Sequence, residues 1–200
     1  MRLLELFSGT KSVGKVAEQL GYEVIPLDLK YADINCDILK WDYTVYEPEH
    51  FDVIWASPPC TEYSRAKTVG TRKIDEANKV ALKTLEIIDF LKPTYWMIEN
   101  PQTGLLKTQT FMLDLPFADI DYCKYGMPYR KRTRIWNNLP NWQPRELCKK
   151  DCGNVVNTKH TETAQRGPRK GNTTTFKQSE LYRIPSDLIH ELLCSIETLV

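Results

Sequence analysis

Cys60 stands after two prolines and before a Thr-Glu-Tyr-Ser run in the stretch ASPPCTEYS, residues 56–64, directly behind the apolar run FDVIW. Proline fixes φ and removes a backbone donor, so Pro58 and Pro59 stiffen the loop that carries the thiol. A thiolate can attack carbon 6 of a pyrimidine ring and thereby make carbon 5 nucleophilic, which is how an unreactive ring carbon is alkylated. Other residues carry chemistry of their own. Glu99 and Asn100 close the apolar run TYWMIEN, and Asp28 closes EVIPLD, where a carboxylate suits the vicinal hydroxyls of a ribose. The loop LFSGTKSVG brings small residues between a strand and a helix, with space for a ligand to approach the backbone, but without the spacing of a phosphate-cradling loop. Further on, CKKDCGNVVNTKH holds Cys148, Cys152 and His160. Two thiols four apart and a histidine eight on are zinc candidates that need a fourth ligand from elsewhere; the alternative is two reduced cysteines in a basic loop. Cys36, Cys123 and Cys194 read as packing residues.

These residues need elements to position them. Residues 2–7 form a short apolar run, and residues 12–22 show helical spacing at Val13, Val16, Ala17 and Leu20. Residues 23–29, 51–57 and 94–100 read as further strands, and residues 74–91 as a helix that ends before Pro93. Strands alternating with helices predict a Rossmann-like α/β domain with a mostly parallel sheet and helices on both faces. FADIDYCKYG and TRIWNN predict a closing β-hairpin joined by the basic turn MPYRKR. The chain then divides into a core at 1–139, a polar basic insertion at 140–180, and a C-terminal helix at 181–200. That helix starts near Pro185 and packs on the core through Leu188, Leu192, Ile196 and Leu199. In open α/β sheets ligands collect at the carboxyl ends of the strands. That rule selects residues 7–14, Asp28, Asp37, residues 57–64 and residues 99–101.

With 200 residues, 42% hydrophobic and 26% charged, the chain suffices for one well-buried core. No apolar stretch approaches the roughly 18 residues of a membrane span, and the N-terminus lacks signal-peptide architecture. The expected compartment is cytoplasmic, nuclear or nucleoid, not a secretory one, with thiols kept reduced. The net charge of +1 hides an asymmetry. Residues 121–177 carry thirteen Lys and Arg against four Asp and Glu, an excess of nine positive charges, which leaves the rest of the chain at −8. A polyanion-facing side follows, with a solvated basic loop as the alternative.

The order ELFSGTKSVG, PLDL, NCDIL, ASPPCTEYS, MIENPQTG and YGMPYRKRTRIW resembles the cytosine-5 DNA methyltransferase family over residues 2–138. Amino-group methyltransferases of nucleic acids place a base-stacking aromatic residue after a similar Pro-Pro loop; here Cys60 takes that position. The resemblance implies a class I methyltransferase fold and transfer of a methyl group from S-adenosylmethionine, with S-adenosylhomocysteine as product, to carbon 5 of cytosine in DNA. It makes Cys60 the nucleophile and Glu99 the carboxyl group at ring nitrogen 3, with Arg132 and Arg134 approaching the thiol and the base carbonyl. The implied cofactor contacts are Phe7, Ser8, Gly9, Thr10, Asp28 for ribose, Leu29, Asp37 and Ile38 for adenine, and Ser57. The implied target contacts are Pro59, Tyr63, Ser64, Asn100 and Arg130. Lys11 and Ser12 depart from a glycine pair, Thr61 and Glu62 from Gln-Gly, and the closing Gly-Asn-x-Val signature is missing. No large target-recognition domain is present, so residues 140–180 would be a reduced one. The alternatives are the same chemistry on tRNA, other RNA or a pyrimidine nucleotide, and a non-catalytic nucleic-acid-binding relative.

Overall fold

A computed structural model describes residues 1–165 and 176–197. The first strand, β1 (Arg2–Leu6), leads through a tight turn into α1 (Ser12–Gln19), and the chain returns as β2 (Glu23–Asp28) and the short β3 (Ile34–Asn35). Then come β4 (Val53–Ala56), α2 (Ile74–Leu91) and β5 (Tyr95–Pro101). β1, β2, β4, α2 and β5 follow the predicted runs to within two residues at each end, α1 ends three residues short of its run, and β3 is an added short strand. β6 (Phe117–Asp121) is followed by a 3₁₀ turn at Tyr122–Tyr125, then β7 (Tyr129–Arg130) and β8 (Arg132–Asn137). The seven-stranded sheet has the order β3-β2-β1-β4-β5-β8-β6, parallel from β3 to β5, with β8 antiparallel to both neighbours. The expected hairpin is thus present, with its second strand inserted beside β5 and its first at the sheet edge.

Side-chain alternation divides the core into two layers, as period-two geometry requires. Leu3, Val53, Trp55 and Met97 face α1 and the closing helix α4 (Ser186–Glu197). Leu4, Ile54, Ala56 and Ile98 face Ile87, Ile88 and Leu91 of α2. Leu188, Leu192 and Ile196 of α4 are fully buried, as their spacing predicts, whereas Leu199 lies outside the described residues. Among the described residues no helix is long and apolar enough to cross a membrane.

The region expected to be an irregular insertion has more order than its composition suggests. β9 (Val155–Val156) and β10 (Lys159–His160) form a small antiparallel pair, and β11 (Glu162–Thr163) adds in parallel to β7. The short helix α3 (Gln178–Tyr182) precedes α4. Part of the basic segment 121–177, residues 166–175, lies outside the described residues.

Candidate active site

Below the turn that follows β1, Glu5 is almost wholly buried and accepts hydrogen bonds from the backbone N–H groups of Val13 (3.3 Å) and Gly14 (3.1 Å) at the start of α1. Burial pushes its pKa up from 4.5 to about 7, against the pull of those two N–H groups. A side chain at Gly14 would meet Glu5 Oε2 at 2.8 Å and push against this buried, hydrogen-bonded carboxyl group. The turn above is bent hard. Phe7, Gly9 and Lys11 all have φ between +45° and +61°. Lys11 holds the left-handed conformation that a glycine takes without cost, which accounts physically for the glycine that the family resemblance leads one to expect near this point.

This turn opens onto a cavity of about 600 Å³ at the carboxyl ends of β1, β2, β4 and β5. All nine residues expected to contact the cofactor line it: Phe7, Ser8, Gly9, Thr10, Asp28, Leu29, Asp37, Ile38 and Ser57. Asp28 accepts from Gly9 N (2.9 Å) through Oδ2 and from Leu29 N (2.7 Å) through Oδ1, which fixes the carboxylate at the rim while leaving lone pairs on both oxygens. Ser57 Oγ accepts from Trp55 Nε1 at 2.9 Å. Ser8 Oγ is buried on the cavity wall with no hydrogen-bond partner, a vacancy in the polar accounting that a ligand with polar groups would fill.

Cys60 and Glu99 line the same cavity. Pro58 is buried, and its carbonyl accepts from Asn100 Nδ2 at 2.8 Å, so the loop bearing Cys60 is tied to the end of β5. Asn100 Oδ1 is buried and unpartnered, and Asn100 lines the cavity too, as does Pro59. Burial, chiefly, and the charge of Glu99 push the Cys60 thiol above its ordinary value, while the ammonium of Lys131 pulls it down. Glu99 Oε1 accepts from Tyr122 Oη (3.0 Å) and stands 3.8 Å from Lys131 Nζ, whose charge also lies over the Tyr122 ring.

Several residues predicted for the site are placed elsewhere. Arg132 pairs with Asp121 (Nη2 to Oδ2, 2.7 Å) and Arg134 with Asp119 (Nε to Oδ1, 2.7 Å), and neither lines the cavity. Register explains this placement. Glu99 lies opposite Ile135 in the β5–β8 ladder, so residues 131, 133 and 135 share its face and the two arginines point to the other. Lys131, which sequence reasoning passed over, is the lysine beside Cys60. Counting alternation back from Ile135 would have found it. Arg130 likewise pairs with Asp121 (3.2 Å) instead of reaching the cavity. Tyr63 is a core residue that donates to Asn78 Oδ1 (2.9 Å), and Ser64 serves the loop itself, accepting from Ala66 N through its hydroxyl and from Arg72 through its carbonyl. Neither touches the cavity wall. Glu62 anchors the same loop by pairing with Lys67 and accepting from Lys73 N.

With this geometry in view, similarity to known proteins falls into one pattern. A family model described as C-5 cytosine-specific DNA methylase matches residues 28–113. A Frog virus 3 (isolate Goorha) protein named "Probable DNA (cytosine-5)-methyltransferase" is 37% identical over an alignment covering 96% of this chain and 99% of its own. Among solved structures, the Entamoeba histolytica methyltransferase EhMeth superposes with a TM-score of 0.56 at 16% identity, covering 74% of this chain and 56% of that one. The S. pombe Dnmt2 methyltransferase gives 0.53 at 16% identity, covering 72% and 53%. At such identities the two structures speak for the fold, that of class I methyltransferases, and the chain spans about half the length of each.

Proposed function

The chain belongs to the C-5 cytosine-specific DNA methylase family, and from that premise we propose that it methylates carbon 5 of cytosine in DNA through a covalent Cys60 adduct assisted by Glu99. S-adenosylmethionine, when bound, supplies an electrophilic sulfonium methyl group. The cavity residues fit it: Asp28 has lone pairs for a ribose diol, Asp37 and Ile38 form the wall assigned to the adenine, and Ser8 Oγ lacks a partner.

The target cytosine must leave its stack, at a cost of a few kcal/mol in duplex DNA. Cys60 Sγ adds to carbon 6, the electron pair of the 5,6 double bond moves toward carbon 5, and Glu99 holds or protonates nitrogen 3 so that the ring can accept it. Carbon 5 takes the methyl group, and loss of its proton with expulsion of Cys60 restores the ring. In the resting site Glu99 opposes the Cys60 thiolate. Engagement of Glu99 by a base relieves that repulsion, and Lys131 then remains as the charge that favours the thiolate. Asn100 positions the Cys60 loop through Pro58 and keeps a free acceptor for the base's amino group.

The observation that carries this reading is that Cys60 and Glu99, close enough for the Glu99 charge to act on the thiol, line the same cavity as the Phe7–Thr10 turn, Asp28 and Asp37. The test is labelled methyl transfer into DNA, RNA and free pyrimidine nucleotides by wild type and Cys60→Ala. Transfer into DNA cytosine that Cys60→Ala abolishes is expected. Transfer confined to RNA or nucleotides keeps the chemistry and replaces the acceptor, and undiminished transfer by Cys60→Ala contradicts the mechanism.

A further inference from the structure

Away from the cavity, at the sheet edge, four side chains from three separate segments meet. Cys123 comes from the 3₁₀ turn after β6, Cys148 and Cys152 from the loop before β9, and His160 from β10. Their ligand atoms all lie within 4.8 Å of one another, and His160 Nε2 is 3.4 Å from both Cys148 Sγ and Cys152 Sγ. A tetrahedral zinc ion with Zn–S near 2.3 Å and Zn–N near 2.0 Å sets sulfur and nitrogen about 3.5 Å apart and two sulfurs about 3.8 Å apart. The spacing is that of a ligand shell drawn around a point. Cys123 and Cys148 are buried, and none of the six cysteines forms a disulfide.

We propose that Cys123, Cys148, Cys152 and His160 bind one structural zinc ion that fastens the insertion to the catalytic core. The surrounding fold needs such a fastening. β9, β10 and β11 have two residues each, and a two-stranded hairpin of that size does not hold itself together in water. Three thiolates around Zn²⁺ leave one net negative charge. The backbone N–H of Lys150 donates to Cys148 Sγ at 3.3 Å, and Lys124, next to Cys123, pairs with Asp151 at 3.0 Å. The N–H of Cys148 also donates to Asp121 Oδ2 at 3.0 Å, and Asp121 holds Arg130 and Arg132. The metal would therefore fix the basic strand β8 and the lysines at 149, 150 and 159 as one surface. Four protein ligands leave no open coordination position, so the role is structural and no step of the methyl transfer passes through the ion.

The full chain, purified without a metal-affinity resin and dialysed, is expected to retain about one zinc per chain by elemental analysis. Replacement with cobalt(II) should give the intense visible bands of a tetrahedral thiolate site. Cys123→Ser and Cys148→Ser disturb buried positions, so Cys152→Ser and His160→Ala, at half-buried ones, carry the test. Each should lower zinc affinity by more than about a hundredfold with far-UV circular dichroism of the core retained, and His160→Cys, which restores four zinc-compatible ligands, should keep the metal. Metal-free wild type that gives no tetrahedral cobalt spectrum overturns the proposal. So does undiminished zinc in the Cys152→Ser/His160→Ala double variant, or a Cys148–Cys152 disulfide in chain isolated under reducing conditions.

Discussion

Cys60 and the group around Cys123 both set thiols among polar neighbours at the margin of one sheet, and their surroundings differ in kind. Cys60 is a single thiol on a stiff loop beside an open cavity, with one carboxyl group and one ammonium group acting on it in opposite directions. At the sheet edge three thiols and an imidazole occupy one another's shells, with backbone donors around them. A nucleophile needs space on one side for a ring carbon to arrive. A fastening needs every side taken. The two proposals thus assign one residue type a reactive role in one place and a fastening role in the other, according to what stands within a few ångströms of its sulfur.

The comparison can be broken most forcefully at Glu99. Glu99→Gln should lower kcat for methyl transfer by roughly 10²- to 10⁴-fold, since it removes the proton carried to nitrogen 3, and should leave the metal content of the edge unchanged. At the edge, Asp121→Asn leaves Arg130 and Arg132 without the fully buried carboxylate that holds them. A loss of about 3 kcal/mol in unfolding free energy is expected in urea titrations, with methyl transfer per folded molecule much less affected.

Glu5 bears on the cavity side alone. Its folded-state pKa is raised from 4.5 to about 7, so between those values the folded chain keeps a proton that the unfolded chain has released. Stability should fall as pH rises through that window, by about 3 kcal/mol at most, and the slope should be shallower in Glu5→Gln when the two are titrated side by side. The smallest effect is expected at Lys131. Its ammonium lowers the Cys60 pKa, so Lys131→Met should shift the rising limb of the pH–rate profile to higher pH and slow transfer about tenfold near neutrality. An unshifted profile would show that Lys131 does not tune the thiol.

Much of the cavity was legible because it is local. The runs 2–7, 23–29 and 51–57 are apolar enough to be buried strands, and the loops that follow them carry Phe7 to Thr10, Asp28 and Cys60 within a few residues of the strand ends. Glu99 and Asn100 follow from the same logic on β5. The Arg-x-Arg pair at Arg132 and Arg134 says which residues are cationic and not which face of β8 they take. The antiparallel register against Glu99 decides that, and it turns Lys131 inward. Tyr63 sits one turn past Cys60, where its ring has already folded back into the core, and Ser64 holds the loop itself. The fourth member of the Cys-His group was invisible for a different reason. Cys123 is separated from Cys148 by the strands β7 and β8 and a loop, and only the β6–β8 hairpin brings them together.

The central claim is that Cys60 forms a bond to the cytosine ring. Incubation of the full chain with S-adenosylmethionine and duplex DNA containing 5-fluorocytosine tests this directly, because fluorine at carbon 5 blocks the proton loss that frees the enzyme. A denaturation-resistant protein–DNA adduct is expected, with the modified peptide mapping to Cys60 and no adduct from Cys60→Ala. An adduct at another residue, or methyl transfer with no adduct at all, would contradict the account.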